Sequence, residues 1–126
     1  MINNLKKIFH ERQHHFMFVY LFGSLARKDH SESSDLDIAV YVEENIKQDY
    51  FDIKSNLYLQ LSRILKRNRI DLVVMNQCQN LILLNNIITH GQLIYEKDQS
   101  ARLDYEQKIS HNAIDFKHQR KRVMGI

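Results

Sequence analysis

The sequence predicts an α/β (α+β) domain in which a small mixed β-sheet is flanked by helices. Short β-branched and aromatic runs alternate with longer stretches whose apolar residues recur every three or four positions, so strands interleave with helices. The first two strand-like runs are joined by a short polar connection across which they can pair antiparallel, giving a mixed sheet. The chain has 126 residues, 44% of them hydrophobic, with three glycines and no proline. That composition suits one globular domain, residues 1–126, without a linker, repeat or second module.

Each element has its own signal. Ile2, Leu5, Ile8 and Phe9 recur at helical spacing and predict a first amphipathic helix reaching about His14. Phe16 to Phe22 is short, aromatic and β-branched, and predicts a buried strand. Leu25 to Lys28 can form a helical turn, Asp29 to Ser34 a polar loop, and Asp35 to Val42 the second strand. From Asp49 to about Lys66, Ile53, Leu57, Leu61 and Ile64 share one helix face, with Leu65 beside them. Ile70 to Met75 is a third strand. Asn80 to Thr89 is too apolar to face water on any side, which predicts a helix that is buried or half-turned into the core, and Gly91 can end it in a left-handed conformation. Leu93 to Tyr95 adds a short fourth strand. A last helix over about 101–122 aligns Tyr105, Ile109, Ala113 and Phe116.

Several function classes are excluded by the same reading. No apolar run approaches the ~20 residues of a membrane-spanning helix, and the N-terminus lacks the apolar core and cleavage site of a signal peptide. The single cysteine, Cys78, rules out a disulfide framework, so a reducing cytoplasm is expected. Cys78 reads as an inert thiol. His10 and His14 lie one helical turn apart without the glutamate or cysteines of a zinc site. The net charge is +3, with basic clusters at Lys66-Arg67-Asn68-Arg69 and Lys117-His118-Gln119-Arg120-Lys121-Arg122. Both suit solvated helix ends, the alternative being contact with an acidic partner, nucleotide phosphates or RNA. The role of segment 117–122 stays open.

Chemistry concentrates in Gly23-Ser24, ten intervening residues, then Asp35-Leu36-Asp37. An apolar run stops at the glycine and serine, and two acids open the next. Side chains two apart in a strand share a face, so Asp35 and Asp37 present two carboxylates together. Such like charges repel unless a cation lies between them. Oxygen-only ligation suits Mg²⁺ completed by water and substrate phosphates, and two such ions serve in-line displacement at phosphorus. Asp71, opening the strand Ile70 to Met75, is the candidate third carboxylate. Alone it would read as a strand-end acid reaching water or an arginine; beside the upstream pair it reads as a ligand. Gly23 permits a tight exit from the first strand and close approach of a phosphate. Ser24 adds a hydroxyl, and amides there can form an anion-binding concavity. Arg27 either steadies a triphosphate or pairs with Asp29 or Glu32.

At these residues the chain resembles the minimal nucleotidyltransferase (MNT) branch of the DNA polymerase β-like nucleotidyltransferases, whose signature is Gly-Ser-x10-Asp-x-Asp plus a later strand acid. The likeness extends through Ile70-Asp71-Leu72-Val73-Val74-Met75-Asn76, the apolar helix, Gly91-Gln92-Leu93-Ile94-Tyr95-Glu96 and Asp115-Phe116-Lys117. It thus spans nearly the whole chain; Lys28 departs from the glycine many relatives carry there. The resemblance implies the minimal polymerase β-like fold and, at this length, an MntA-type antitoxin of a type VII-like HEPN/MNT toxin–antitoxin pair. Such an antitoxin adenylylates a tyrosine of its cognate HEPN-domain RNase toxin with ATP and releases pyrophosphate.

Carried over to this sequence, Asp35 and Asp37 would bind two Mg²⁺ ions, and Asp71 would complete one site and help deprotonate the acceptor. Gly23 and Ser24 would hold the β- and γ-phosphates. Because a tyrosine hydroxyl has a pKa near 10, it needs a carboxylate base or metal contact to attack at neutral pH. The expected partners are ATP and the toxin, in a hetero-oligomer, with no membrane and no direct nucleic-acid binding. Two alternatives are an antitoxin that neutralises by binding alone, which a broken carboxylate triad would favour, and a small-molecule nucleotidyltransferase of aminoglycoside type. The latter usually has a further substrate-binding domain.

Overall fold

The computed structural model describes residues 2–11, 15–23, 35–46 and 48–123, with side chains as far as Lys117. In chain order the elements are α1 (Ile2–Glu11), β1 (Phe16–Phe22), β2 (Leu36–Val42), α2 (Tyr50–Leu65), β3 (Ile70–Val74), α3 (Leu81–His90), β4 (Gln92–Glu96) and α4 (Gln99–Val123). The strands form one mixed sheet in the order β3-β2-β1-β4. β1 pairs antiparallel with both β2 and β4, and β2 pairs parallel with β3. The antiparallel β1–β2 pair and the mixed sheet are as the sequence predicts. The parallel pair follows from α2, which carries the chain back so that β3 starts at the same end as β2.

Alternation along the strands divides the core in two. Leu36, Ile38, Val40 and Val42 of β2 join Ile70, Leu72 and Val74 of β3 against Leu5, Ile8 and Phe9 of α1 and Ile53, Leu57 and Leu61 of α2. Phe18, Tyr20 and Ala39 face the other way, onto Leu84 and Ile87 of α3 and Ile109 of α4. Helices therefore cover both faces of the sheet. Asp37 and Asp71 share the α3/α4 face with Ala39 and Val73, one register step beyond the packed apolar layer.

Caps set the helix limits. Asp49 Oδ1 accepts from Phe51 N at 3.2 Å at the start of α2, and Asn80 Oδ1 accepts from Leu83 N at 3.1 Å at the start of α3. α2 closes at Lys66, whose φ of 54° is left-handed and whose N–H donates to Ser62 O.

Three expectations need correction. Gly91 is not left-handed: its φ is −72° and ψ 162°. It is confined instead by close packing, since a Cβ there would lie 2.3 Å from Ile87 O and 3.2 Å from Leu21 O. Ile64 is 52% exposed; the Ile53–Leu57–Leu61 row continues in steps of four to Leu65, which packs on the core. α3 takes the second of its two expected forms, half-turned into the core, because only the side turned to β1 and α4 is covered: Leu84 and Ile87 are buried and Ile82 is exposed. On α4, Tyr105, Ile109 and Ala113 pack inward, but Phe116 lies beyond the sheet and is exposed. The predicted turn at 25–28, the loop at 29–34 and the first helix's reach past Glu11 to His14 lie outside the described residues.

Candidate active site

The site begins where β1 stops. Phe22 is in register with Asp37, so the turn at Gly23 passes directly over that carboxylate. Gly23 has a φ of +75°, and a Cβ on it would stand 2.2 Å from Asp37 Oδ2. The missing side chain thus first makes room for the Asp37 carboxylate, whereas sequence reasoning assigned that space to a phosphate. Ser24 and Arg27 lie outside the described residues.

The parallel β2–β3 ladder aligns Asp37 with Asp71. Paired residues on adjacent strands are about 5 Å apart and point to the same face. Asp35, two residues upstream on that face, lies just before β2 in an exposed position. Asp37 is half-buried and Asp71 exposed. Burial, followed by the negative charges of Asp71 and Asp35, holds the Asp37 carboxyl above the usual carboxylate range. The sheet therefore brings all three sequence-predicted acids to one end.

The donor set suits a hard cation: all its ligating atoms are carboxylate oxygens, and Asp37 is electrostatically disfavoured as an anion without one. Among the described residues, no group of three His, Cys, Asp or Glu side chains is closed tightly enough to hold a metal ion in the present rotamers. The acids are thus aligned by the backbone, with their side chains not gathered about a common centre.

Arg69 is a neighbour that sequence reasoning left within a solvated basic cluster. Its Nε stands 3.9 Å from Asp35 Oδ1, with both side chains well exposed, so the pair is a weak surface interaction. Its carbonyl also accepts from Leu36 N at 2.9 Å and fixes the starts of β2 and β3 together. The available signal was position: Arg69 lies two residues before Asp71.

A polar network supports the site from behind. Tyr20, two residues before Phe22, donates through Oη to Glu106 on α4. Arg102 donates through Nη1 to Glu106 at 3.0 Å and through Nε to Glu96 on β4. Burial, reinforced by Glu106, pushes the Tyr20 hydroxyl far above the ordinary phenol range. A neutral hydroxyl on a buried strand is thereby tied to α4, which anchors that helix across β1 and β4. No helix among the described residues is long and apolar enough to cross a membrane.

Residues 3–100 match the sequence profile of the family described as polymerase beta, nucleotidyltransferase. No curated protein sequence matches the chain significantly. Among solved structures, the fold is similar to that of a chain in a toxin–antitoxin crystal structure with AMP-PNP, at 22% identity and a TM-score of 0.77, covering 98% of this chain and 95% of that one. It is also similar to a chain in the crystal structure of the toxin–antitoxin MntA-HepT, at 21% identity and a TM-score of 0.69, covering 98% and 93%. A third similar chain belongs to a tri-AMPylated Shewanella oneidensis HEPN toxin in complex with MNT antitoxin. There the identity is 20% and the TM-score 0.70, covering 99% of this chain and 97% of that one. At these identities the likeness is one of fold.

Proposed function

The chain belongs to the polymerase β nucleotidyltransferase family, and from that premise we propose that it is an antitoxin that transfers AMP from ATP to a tyrosine of a cognate HEPN-domain toxin. The observation that carries the chemistry is the register of Asp37 with Asp71, with Asp35 on the same face and Gly23 over Asp37. The choice of acceptor is supported by fold neighbours that include a nucleotide-analogue complex and an AMPylated HEPN toxin bound to its antitoxin.

In this reading Asp35, Asp37 and Asp71 hold Mg²⁺, which supplies positive charge to the phosphate oxygens as negative charge develops on them. The exposed Asp71 carboxylate accepts the proton of the acceptor tyrosine. The tyrosine oxygen forms a bond to the α-phosphorus, the bond from that phosphorus to the bridging oxygen breaks, and pyrophosphate leaves. Gly23, Ser24 and Arg27 are assigned to the triphosphate. Gly23 is assigned through the backbone of the turn that leaves β1, its side-chain space being taken by Asp37.

The test is transfer of label from α-labelled ATP to the purified toxin. The expected result is Mg²⁺-dependent labelling of the toxin, reduced roughly 100-fold or more by Asp35→Asn or Asp37→Asn. Full protection of cells at native expression by the double Asn variant would instead mean neutralisation by binding alone.

A further inference from the structure

A second recess lies on the α3/α4 face, at the end of β2 remote from the carboxylates. Asp37, Ala39 and Tyr41 alternate along one side of that strand, so Tyr41 stands four residues, about 13 Å, from Asp37. Phe18 and Tyr41 stack with ring centroids 4.8 Å apart and planes at 7°. Tyr105 of α4 leans on both rings, at 5.3 Å and 4.9 Å. Above this aromatic floor opens a cavity of about 690 Å³, with Glu43, Glu44, Asp104 and Lys108 among its walls. An adjoining cavity of about 380 Å³ shares Tyr41, Glu44, Tyr105 and Lys108.

The charges and hydrogen bonds in the recess are unevenly matched. Glu43 is paired with Lys97. Tyr41 Oη donates to Glu44 Oε1 at 3.1 Å, which fixes that carboxylate at the edge of the rings. Neither Glu44 nor Asp104 has a cationic partner among the described residues. Tyr105 Oη is shielded from water and has no hydrogen-bond partner among them. On a chain of net charge +3, this is a recess with aromatic surfaces and two carboxylates outside any ion pair among the described residues.

We infer that this groove binds an organic cation of the alkylguanidinium or alkylammonium class, with its head against the rings between Glu44 and Asp104. Aromatic faces attract cations, carboxylates accept charge-assisted N–H bonds, and an anion would meet repulsion from both acids. Lys108, on α4 one turn beyond Asp104, is the lining cation that opposes the ligand. The site is separate from the carboxylate triad and does not depend on the transfer reaction.

Agmatine titrated into the whole protein, followed by NMR of the tyrosine rings, tests the inference. The expected result is saturable shifts of Tyr41 and Tyr105, with affinity reduced about 10-fold or more in Glu44→Gln/Asp104→Asn and increased in Lys108→Ala. All three residues are at the surface, and retention of the circular dichroism spectrum checks that each variant is folded. A parallel arm uses the peptide acetyl-Gly-Arg-Gly-amide. Tighter binding of the peptide identifies an arginine side chain of a protein as the occupant, and tighter binding of agmatine a free small cation. Absence of saturation by either probe up to about 50 mM, or equal binding by the double variant, overturns the inference.

Discussion

At Gly23 the backbone leaves β1 with a φ of +75°, and the space a Cβ would take is occupied by the Asp37 carboxylate. A single substitution there therefore has two consequences. Gly23→Ala should lose about 1–2 kcal/mol of stability from the left-handed backbone, read by urea denaturation. It should also lose roughly 100-fold or more of transfer activity as Asp37 is displaced. Normal transfer by this variant would mean that Asp37 does not need its present position. Asp37 gives a second test, of sign. Its carboxyl is raised in the folded protein by burial and then by Asp71 and Asp35, so the folded state binds its proton more tightly than the unfolded chain. That contribution to stability is present below the ordinary aspartate pKa of about 4 and is lost as pH rises through the raised folded value. In chelator, Asp37→Asn should melt above the parent at pH 7, and the gap should close below about pH 4. A lower melting temperature for the variant at pH 7 would contradict this electrostatic account.

At the scale of elements, the far end of β2 is held by a side chain that acts as another strand residue. Asn76 Oδ1 accepts from Val42 N at 2.8 Å, and its Nδ2 donates to Val42 O at 2.8 Å. These bonds extend the β2–β3 ladder past Met75, whose N–H donates to Val40 O at 2.8 Å. Asn76→Ala should cost about 1–3 kcal/mol in denaturant unfolding while leaving Asp37 and Asp71 aligned and the transfer rate near the parent value. The elements themselves were legible in the sequence because strands are short aromatic and β-branched runs, as in Phe16–Phe22, while the α2 row Ile53–Leu57–Leu61 steps by four. What was not legible depends on the neighbour each element meets. Asn85, Asn86 and Thr89 mark the polar side of α3 on which Ile82 is exposed, but nothing in its own sequence says that the covered side would meet α4. Gly91 does cap α3, donating to Ile87 O, but the approach of Leu21 O from β1, which adds to the crowding by Ile87 O, has no local signature. The Tyr20–Glu106 bond spans 86 positions and has no local signature.

For the whole molecule, the decisive feature is that β2 and β3 run parallel while β1 runs against them. The exit of β1 and the starts of β2 and β3 therefore lie at one end of the sheet, where Gly23, Asp35, Asp37 and Asp71 come together. This much of the site could be read from the spacing of the two acids and an acid opening a later strand. For Arg69 only its position two residues before Asp71 could be read, because its place beside Asp35 depends on the register of two strands. The proposed acceptor is not inscribed in the chain's own residues; it is a proposal drawn from the likeness of fold to toxin–antitoxin complexes. The most direct test of the central claim is the intact mass of the cognate HEPN toxin after incubation with this protein, ATP and Mg²⁺. The expected result is a gain of one or more adenylyl groups, placed on tyrosine by fragmentation and absent when Mg²⁺ is chelated or when the Asp35→Asn/Asp37→Asn variant is used. An unchanged toxin mass with full neutralisation of its activity, or an equal gain with the double variant, would contradict it.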